Sequence, residues 1–183
     1  MPSLRWESAV SKITSPIILI TGAVGGIGYA AARDLLATGA TVIVHGETVG
    51  GAEQAVVRLI DGGADPARLD ITVADFSRLN DVAHMAQLLS AQYDRIDVLV
   101  NNAAMVNPAG RTVTGDGNEL TFQVNYLAPF LLTRLLTPQL RAAHGRMVAV
   151  SSILHRTGNI NWSDPQRKSS TLPSRPTPNP NSP

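Results

Sequence analysis

The sequence predicts an α/β chain, a doubly wound parallel sheet of about five strands with helices on both faces. Three observations point there. Short branched apolar runs alternate with longer helix-patterned segments. The strand-like runs are apolar at consecutive positions, as in a sheet buried on both faces. The first of them leads directly into a cluster of glycines.

The elements follow in order. Pro16 to Thr21 reads as the first strand, and Ile27 to Thr38 as an Ala- and Leu-rich helix stopped by Gly39. Thr41 to Val44 is a second strand. Ala52 to Ile60 is a helix closed by Gly62 and Gly63. Leu69 to Val73 is a third strand, followed by a helix from Arg78 to Tyr93 with Ser77 as its expected cap. Val98 to Val100 is a fourth strand, ending in Asn101 and Asn102. Asn118 to Leu140 reads as one long helix, with an irregularity expected at Pro129. Met147 to Val150 is a fifth strand, ending in Ser151 and Ser152. Parallel strands joined this way need right-handed crossovers.

Composition narrows the function. A net charge of +1 gives no field that would gather nucleic acid. With no cysteine there is no disulfide and no thiolate metal site, and no metal site is expected. Ile17 to Ile20 is far too short to span a membrane, and no signal-peptide pattern precedes it. A soluble, cytoplasmic protein is expected. Six of the 12 prolines follow residue 156, in a stretch with few apolar side chains. Such a segment buries too little to offset its ordering entropy. The expected organisation is an N-terminal extension over 1–14, a globular part over 15–155 and a disordered Pro/Ser/Asn-rich tail over 156–183.

The turn Thr21-Gly22-Ala23-Val24-Gly25-Gly26-Ile27-Gly28 sits between the first strand and the first helix. A dinucleotide site needs glycines there for the tight turn, for backbone approach to the pyrophosphate and for close helix–strand packing. The helix N-terminus then presents free N–H groups to the phosphates. The domain is therefore expected to be an NAD(P)-binding, Rossmann-type domain.

The spacing Thr-Gly-x-x-x-Gly-Ile-Gly resembles the glycine signature of the short-chain dehydrogenase/reductase family, carried here by Gly22, Gly26, Ile27 and Gly28. Four further motifs follow in family order. Asp75-Phe76 after the third strand is similar to the family's adenine-contacting position. Asn101-Asn102-Ala103-Ala104 resembles Asn-Asn-Ala-Gly, with Ala104 in place of Gly. Asn125 matches the catalytic Asn of the long helix, and Ser152 matches the catalytic Ser. The stretch from Asp116 to Thr133 is similar to retinol-dehydrogenase-like members. The resemblance implies hydride transfer between nicotinamide and an alcohol or carbonyl carbon. Asn102, Ala103 and Ala104 then lie along the cofactor. Each residue has a plainer reading: Asp75 as a helix-start residue, Asn101 and Asn102 as strand-end hydrogen-bonders, Asn125 as a packing residue, Ser152 as a loop cap.

The choice of cofactor, NAD or NADP, falls at the end of the second strand, where an acidic residue holds the NAD ribose and a nearby Arg accommodates the NADP phosphate. The family's Asp would fall near Gly46, which has no side chain. Glu47 would repel a 2′-phosphate or reach the ribose hydroxyls, which leans the expectation to NAD. In the alternative reading Glu47 is merely solvated.

The family's chemistry also uses a Tyr whose phenol, ordinarily titrating at about 10, is brought toward working pH by a Lys four residues later. The tyrosines here are Tyr29, Tyr93 and Tyr126, and the lysines Lys12 and Lys168, so no Tyr-x-x-x-Lys pair exists. The last strands and helices of the family fold are expected to be missing too. That leaves the fifth strand as a sheet edge, makes a family-type homo-oligomer doubtful and makes the chain inactive by itself. The segment Pro176-Thr177-Pro178-Asn179-Pro180-Asn181, read from the third base of each codon, permits Tyr-Ala-Gln-Ser-Lys. A frameshift between about Trp162 and Ser170 is the corresponding hypothesis. The competing expectations are an oxidoreductase by descent, a non-catalytic dinucleotide-binding protein, and a degraded gene product. The substrate is open.

Overall fold

A computed structural model of the chain describes residues 15–106, 110–156 and 160–168. The expected extension over 1–14 lies outside the described residues, as do 157–159 and the tail from 169, including the Pro176–Asn181 stretch.

Five parallel strands form one sheet: β1 (Ile17–Ile20), β2 (Thr41–Gly46), β3 (Leu69–Val73), β4 (Val98–Asn101) and β5 (Arg146–Ala149). Their order is β3-β2-β1-β4-β5. Chain order therefore reverses between β1 and β4, and a crevice opens there at the strands' C-terminal ends. The register aligns Leu19 with Ile43 on one side and with Leu99 on the other.

Alternate residues of β1, β2 and β4 feed two separate cores. Leu19, Ile43 and Leu99 face α3 (Leu79–Gln92), α5 (Ala128–Leu135) and α6 (Thr137–Ala142) through Met85, Leu89, Leu132, Leu136 and Leu140. Ile18, Ile20, Val42 and Val44 face α1 (Gly26–Ala37) and α2 (Val49–Asp61) through Ala32, Leu36, Ala55 and Leu59. The continuous apolar character of β1 and β2 has this cause, since both pleat faces are buried.

β5 differs. Among the described residues it pairs only with β4 and is the last strand on its side, and all four of its residues are exposed.

Two expectations about helices need correction. Ser77 does not cap α3: Arg78 occupies the N-cap position without a side-chain bond, and the Leu79 N–H donates to Asp116 Oδ2 at 2.9 Å. The capping carboxylate comes from a loop distant in sequence, so the local pattern does not reveal it. The long helix is also not continuous. It divides into a single turn α4 (Leu120–Phe122), a π turn (Gln123–Leu127), α5 and α6. Pro129 has no N–H for the Asn125 carbonyl, and Pro138 has none for that of Arg134. The first gap is taken up by the π turn, in which the Ala128 N–H bonds back to Gln123 O. The second coincides with the break at Leu136, where ψ is 5°.

The stretch 160–168, expected to lie outside the packed part, is tied to it through Gln166. Gln166 Nε2 donates to Asn118 Oδ1 at 3.0 Å, and Arg111 Nε donates to Gln166 O at 3.1 Å.

Candidate functional site

The glycine turn is held from below by a threonine. Thr21 Oγ1 accepts the N–H groups of Asn102 and Ala103, both at 2.9 Å. Asn102 Nδ2 returns a bond to Thr21 O at 2.8 Å. The ends of β1 and β4 are thereby locked together at the point where strand order reverses.

The glycines of the turn have different reasons. Gly22 has φ +66°, and a Cβ there would lie 2.9 Å from Ala103 Cα. Gly28 packs against Asn102: a Cβ would overlap its side-chain amide and lie 2.7 Å from Gly22 O. Gly26 has φ +54° but open space around it, and Gly25 has extended backbone and open space. Gly22 and Gly28 are thus fixed by packing, and Gly26 by its left-handed backbone. Gly25 is required by neither, and beside it the α1 N-terminus faces an open crevice. Ala104 is not in a left-handed conformation, so the family-type Gly is not needed there.

Two cavities, each of about 610 Å3, flank this turn. The first is walled by Gly22, Gly25, His45, Glu47, Asp75 and Phe76. The second is walled by Ile27, Asn125, Tyr126, Thr133, Ser151 and Ser152. Asn102, Ala103 and Ala104 line both, so the two meet along the loop after β4. Asn125 and Ser152, far apart in sequence, face one cavity, while Glu47, Asp75 and Phe76 face the other.

The local contacts of these residues are specific. Asp75 Oδ1 accepts from Ser77 N at 2.8 Å, and Arg78 Nε stands 3.6 Å from Asp75 Oδ2. Asp75 therefore shapes the turn into α3 as well as lining the cavity. Asn125 Oδ1 accepts from Met105 N at 2.9 Å, and Asn125 Nδ2 donates to Met105 O at 2.9 Å. Asn101 Nδ2 donates to Thr133 Oγ1 at 3.0 Å, tying β4 to α5. Glu47 is exposed at the cavity rim. Gly46 leaves no room for a side chain, since a Cβ would lie 2.8 Å from Val24 Cγ1 and 3.1 Å from Ala52 Cβ.

Sequence reading overlooked His45. It is buried at the end of β2, and its ring contacts Gly22, Ala74 and Phe76. Burial pushes its pKa down from 6.5 to about 4, only partly opposed by the bond to Ala74, so it is neutral at pH 7. Its position inside a β-branched run hid it. Arg58 was also overlooked: it donates to Val24 O at 2.6 Å and stacks on Tyr29 at 4.6 Å. Among the described residues no group of acidic or His side chains could hold a metal ion, and no helix is long and apolar enough to cross a membrane.

Comparison with known proteins agrees with this geometry. The family model for short chain dehydrogenases matches residues 16–164. Retinol dehydrogenase 14 of Mus musculus is 40% identical over 157 residues, covering 80% of this chain and 47% of that protein. A solved structure of an uncharacterized protein from Mycobacterium paratuberculosis superposes with a TM-score of 0.72 at 31% identity, covering 86% of this chain and 53% of that one. A metagenomic short-chain oxidoreductase in complex with NADP gives a TM-score of 0.65 at 30% identity, covering 78% and 64%. The chain spans about half the length of the curated relatives it matches. On the matched span, which holds the glycine turn and all five strands, the chain belongs to the short chain dehydrogenase family.

Proposed function

We propose that this chain binds a nicotinamide dinucleotide across the crevice between β1 and β4. One observation carries the reading: a glycine turn locked to the end of β4 by Thr21 and Asn102, with an open cradle at Gly25 and Gly26. The cradle fits a pyrophosphate, because backbone can approach closely there and the α1 N-terminus adds a favourable dipole. The NADP complex of one solved relative supports the ligand class.

In this reading Asp75 and Phe76 border the adenine, and Glu47 the adenine ribose. Asn102, Ala103 and Ala104 run along the cofactor, and Asn125 and Ser152 face the nicotinamide end. An exposed carboxylate at Glu47 favours NAD over NADP, since it repels a 2′-phosphate. The bound group would supply or accept a hydride at an alcohol or carbonyl carbon. The Ser152 hydroxyl would hold the substrate oxygen. Asn125, by gripping Met105, would fix the loop that separates the two cavities. No Tyr-x-x-x-Lys pair stands in the 183 residues to move a proton at that oxygen. The reading therefore gives this chain cofactor binding without turnover. The Tyr and Lys permitted in the shifted frame over Pro176–Asn181 would complete the site, and the nucleotide sequence downstream checks this.

A titration of the purified chain with NADH and with NADPH tests the reading. Saturable binding, tighter for NADH, supports it. Binding of neither would favour a degraded gene product.

A further inference from the structure

His45 is 3% exposed, yet its ring is a hub rather than filler. The Gly22 N–H donates to His45 Nδ1 at 3.1 Å. Nδ1 must therefore be unprotonated, which places the proton on Nε2. That nitrogen stands 3.1 Å from Ala74 O, an acceptor only, so Nε2–H donates to it. The ring also packs on Phe76, with centroids 4.7 Å apart. Main-chain bonds surround the imidazole: Ala23 N–H to His45 O at 3.0 Å, and Ala74 N–H to Gly46 O at 3.2 Å. One side chain at the end of β2 thus joins the loops that follow β1 and β3.

Packing alone does not ask for this. A leucine or valine would fill the volume, as Val42 and Val44 do on the opposite face of β2. It would leave the partly buried Gly22 N–H and the buried Ala74 carbonyl without these partners. Gly22 also has little freedom, because Ala103 crowds it from the other side. Gly22 and the Ala74–Phe76 loop both line the first cavity, and His45 is bonded to each.

We propose that His45 is a positioning residue for the adenosine half of the dinucleotide, its Nε2–H tautomer holding the glycine turn in register with the Ala74–Phe76 wall. This rests on the dinucleotide reading above. It assigns the two nitrogens separate work. Nδ1 fixes the glycine turn, and Nε2 fixes the adenine wall.

The two bonds can be separated by substitution. In His45→Asn the amide oxygen takes the Nδ1 place and still accepts from Gly22. In His45→Gln the amide N–H takes the Nε2 place and still donates to Ala74. His45→Leu keeps neither. Each variant, in the full chain, is titrated with NADH and with ADP-ribose, and its melting temperature is recorded. Expected is a loss of about tenfold for both ligands in the Asn variant, which lacks the bond to Ala74, and in the Gln variant, which lacks the bond from Gly22. The Leu variant, which keeps neither, loses more than either. Affinities unchanged in Gln and Leu, or losses in all three that merely follow the melting temperature, overturn the proposal. A measurement on the unaltered chain does not depend on the variants folding. Imidazole 15N spectra at pH 7 should show a neutral Nε2–H ring, with the Gly22 amide shifting on addition of ADP-ribose. An Nδ1–H or doubly protonated ring overturns the proposal as well. If the parent chain binds NADH and the Gln and Leu variants bind equally, the role of His45 fails alone. If the parent chain binds neither ligand, the dinucleotide reading fails and this inference with it.

Discussion

Asn125 and Met105 are joined by two hydrogen bonds, Met105 N–H to Asn125 Oδ1 and Asn125 Nδ2 to Met105 O, each 2.9 Å long. An amide side chain on the π turn thus pairs with main chain beyond β4 as one strand residue pairs with another. Asn125→Ala removes both bonds. Because the site is exposed, the expected loss of stability is only about 1 kcal/mol. Hydrogen exchange at the Met105 amide should rise far more than this global loss requires. Asn125→Asp keeps the acceptor for Met105 N–H and should retain most of the protection.

Two glycines of the turn should differ in their effect on stability while both weaken dinucleotide binding. Gly28→Ala forces a Cβ into the Asn102 amide and the Gly22 carbonyl. Overpacking of this kind costs about 1–3 kcal/mol, so the variant should melt earlier and bind dinucleotide poorly. Gly25→Ala meets nothing and has extended backbone. Its melting temperature should stay within a degree or so of the parent, while its methyl group enters the cradle and weakens NADH binding by about tenfold or more.

Gln123 is fully buried on the π turn. Its Oε1 accepts from Thr114 Oγ1 at 2.7 Å and Asn118 Nδ2 at 3.0 Å, and its Nε2 donates to Asp116 Oδ2 at 2.8 Å and Phe76 O at 3.3 Å. Gln123→Leu leaves several of these groups unpaired. A loss of about 2–4 kcal/mol is expected in a urea melt, at the upper end for a single substitution. Asp116 also serves the start of α3, so faster amide exchange at Leu79 should accompany the loss.

His45 makes stability depend on pH. Its folded pKa is about 4 and its unfolded value is 6.5, so below pH 6.5 the unfolded chain takes up a proton that the folded chain refuses. This group lowers stability progressively as pH falls from 6.5 to 4, by up to about 3 kcal/mol, and has no effect above 6.5. Comparing His45→Asn with the parent across that range isolates it. The variant should show a shallower decline in denaturation midpoint between pH 6.5 and 4.

The strands were legible because β1 and β2 are apolar at consecutive positions, with Ile18 and Leu19 feeding opposite cores. The glycine turn was legible because Gly22 and Gly28 leave no room for a Cβ and Gly26 has the left-handed backbone that favours glycine. What was not legible depends on partners distant in sequence. The carboxylate at the start of α3 comes from Asp116, not Ser77. The division of the long helix needed Pro138 as well as Pro129, because each proline leaves one carbonyl unserved. His45 looked like one more residue of a buried strand. Only the fold brings Gly22 and Ala74 to its two nitrogens.

The central proposal is that the crevice between β1 and β4 holds a nicotinamide dinucleotide and that these 183 residues by themselves do not turn it over. A fluorescence titration of the 183-residue chain with NADH, followed by incubation with a panel of carbonyl compounds, tests both parts. The account predicts saturable NADH binding, weakened by Gly25→Ala, with no oxidation of NADH above the buffer rate. No saturable binding, or steady carbonyl-dependent oxidation of NADH by this chain, would contradict it.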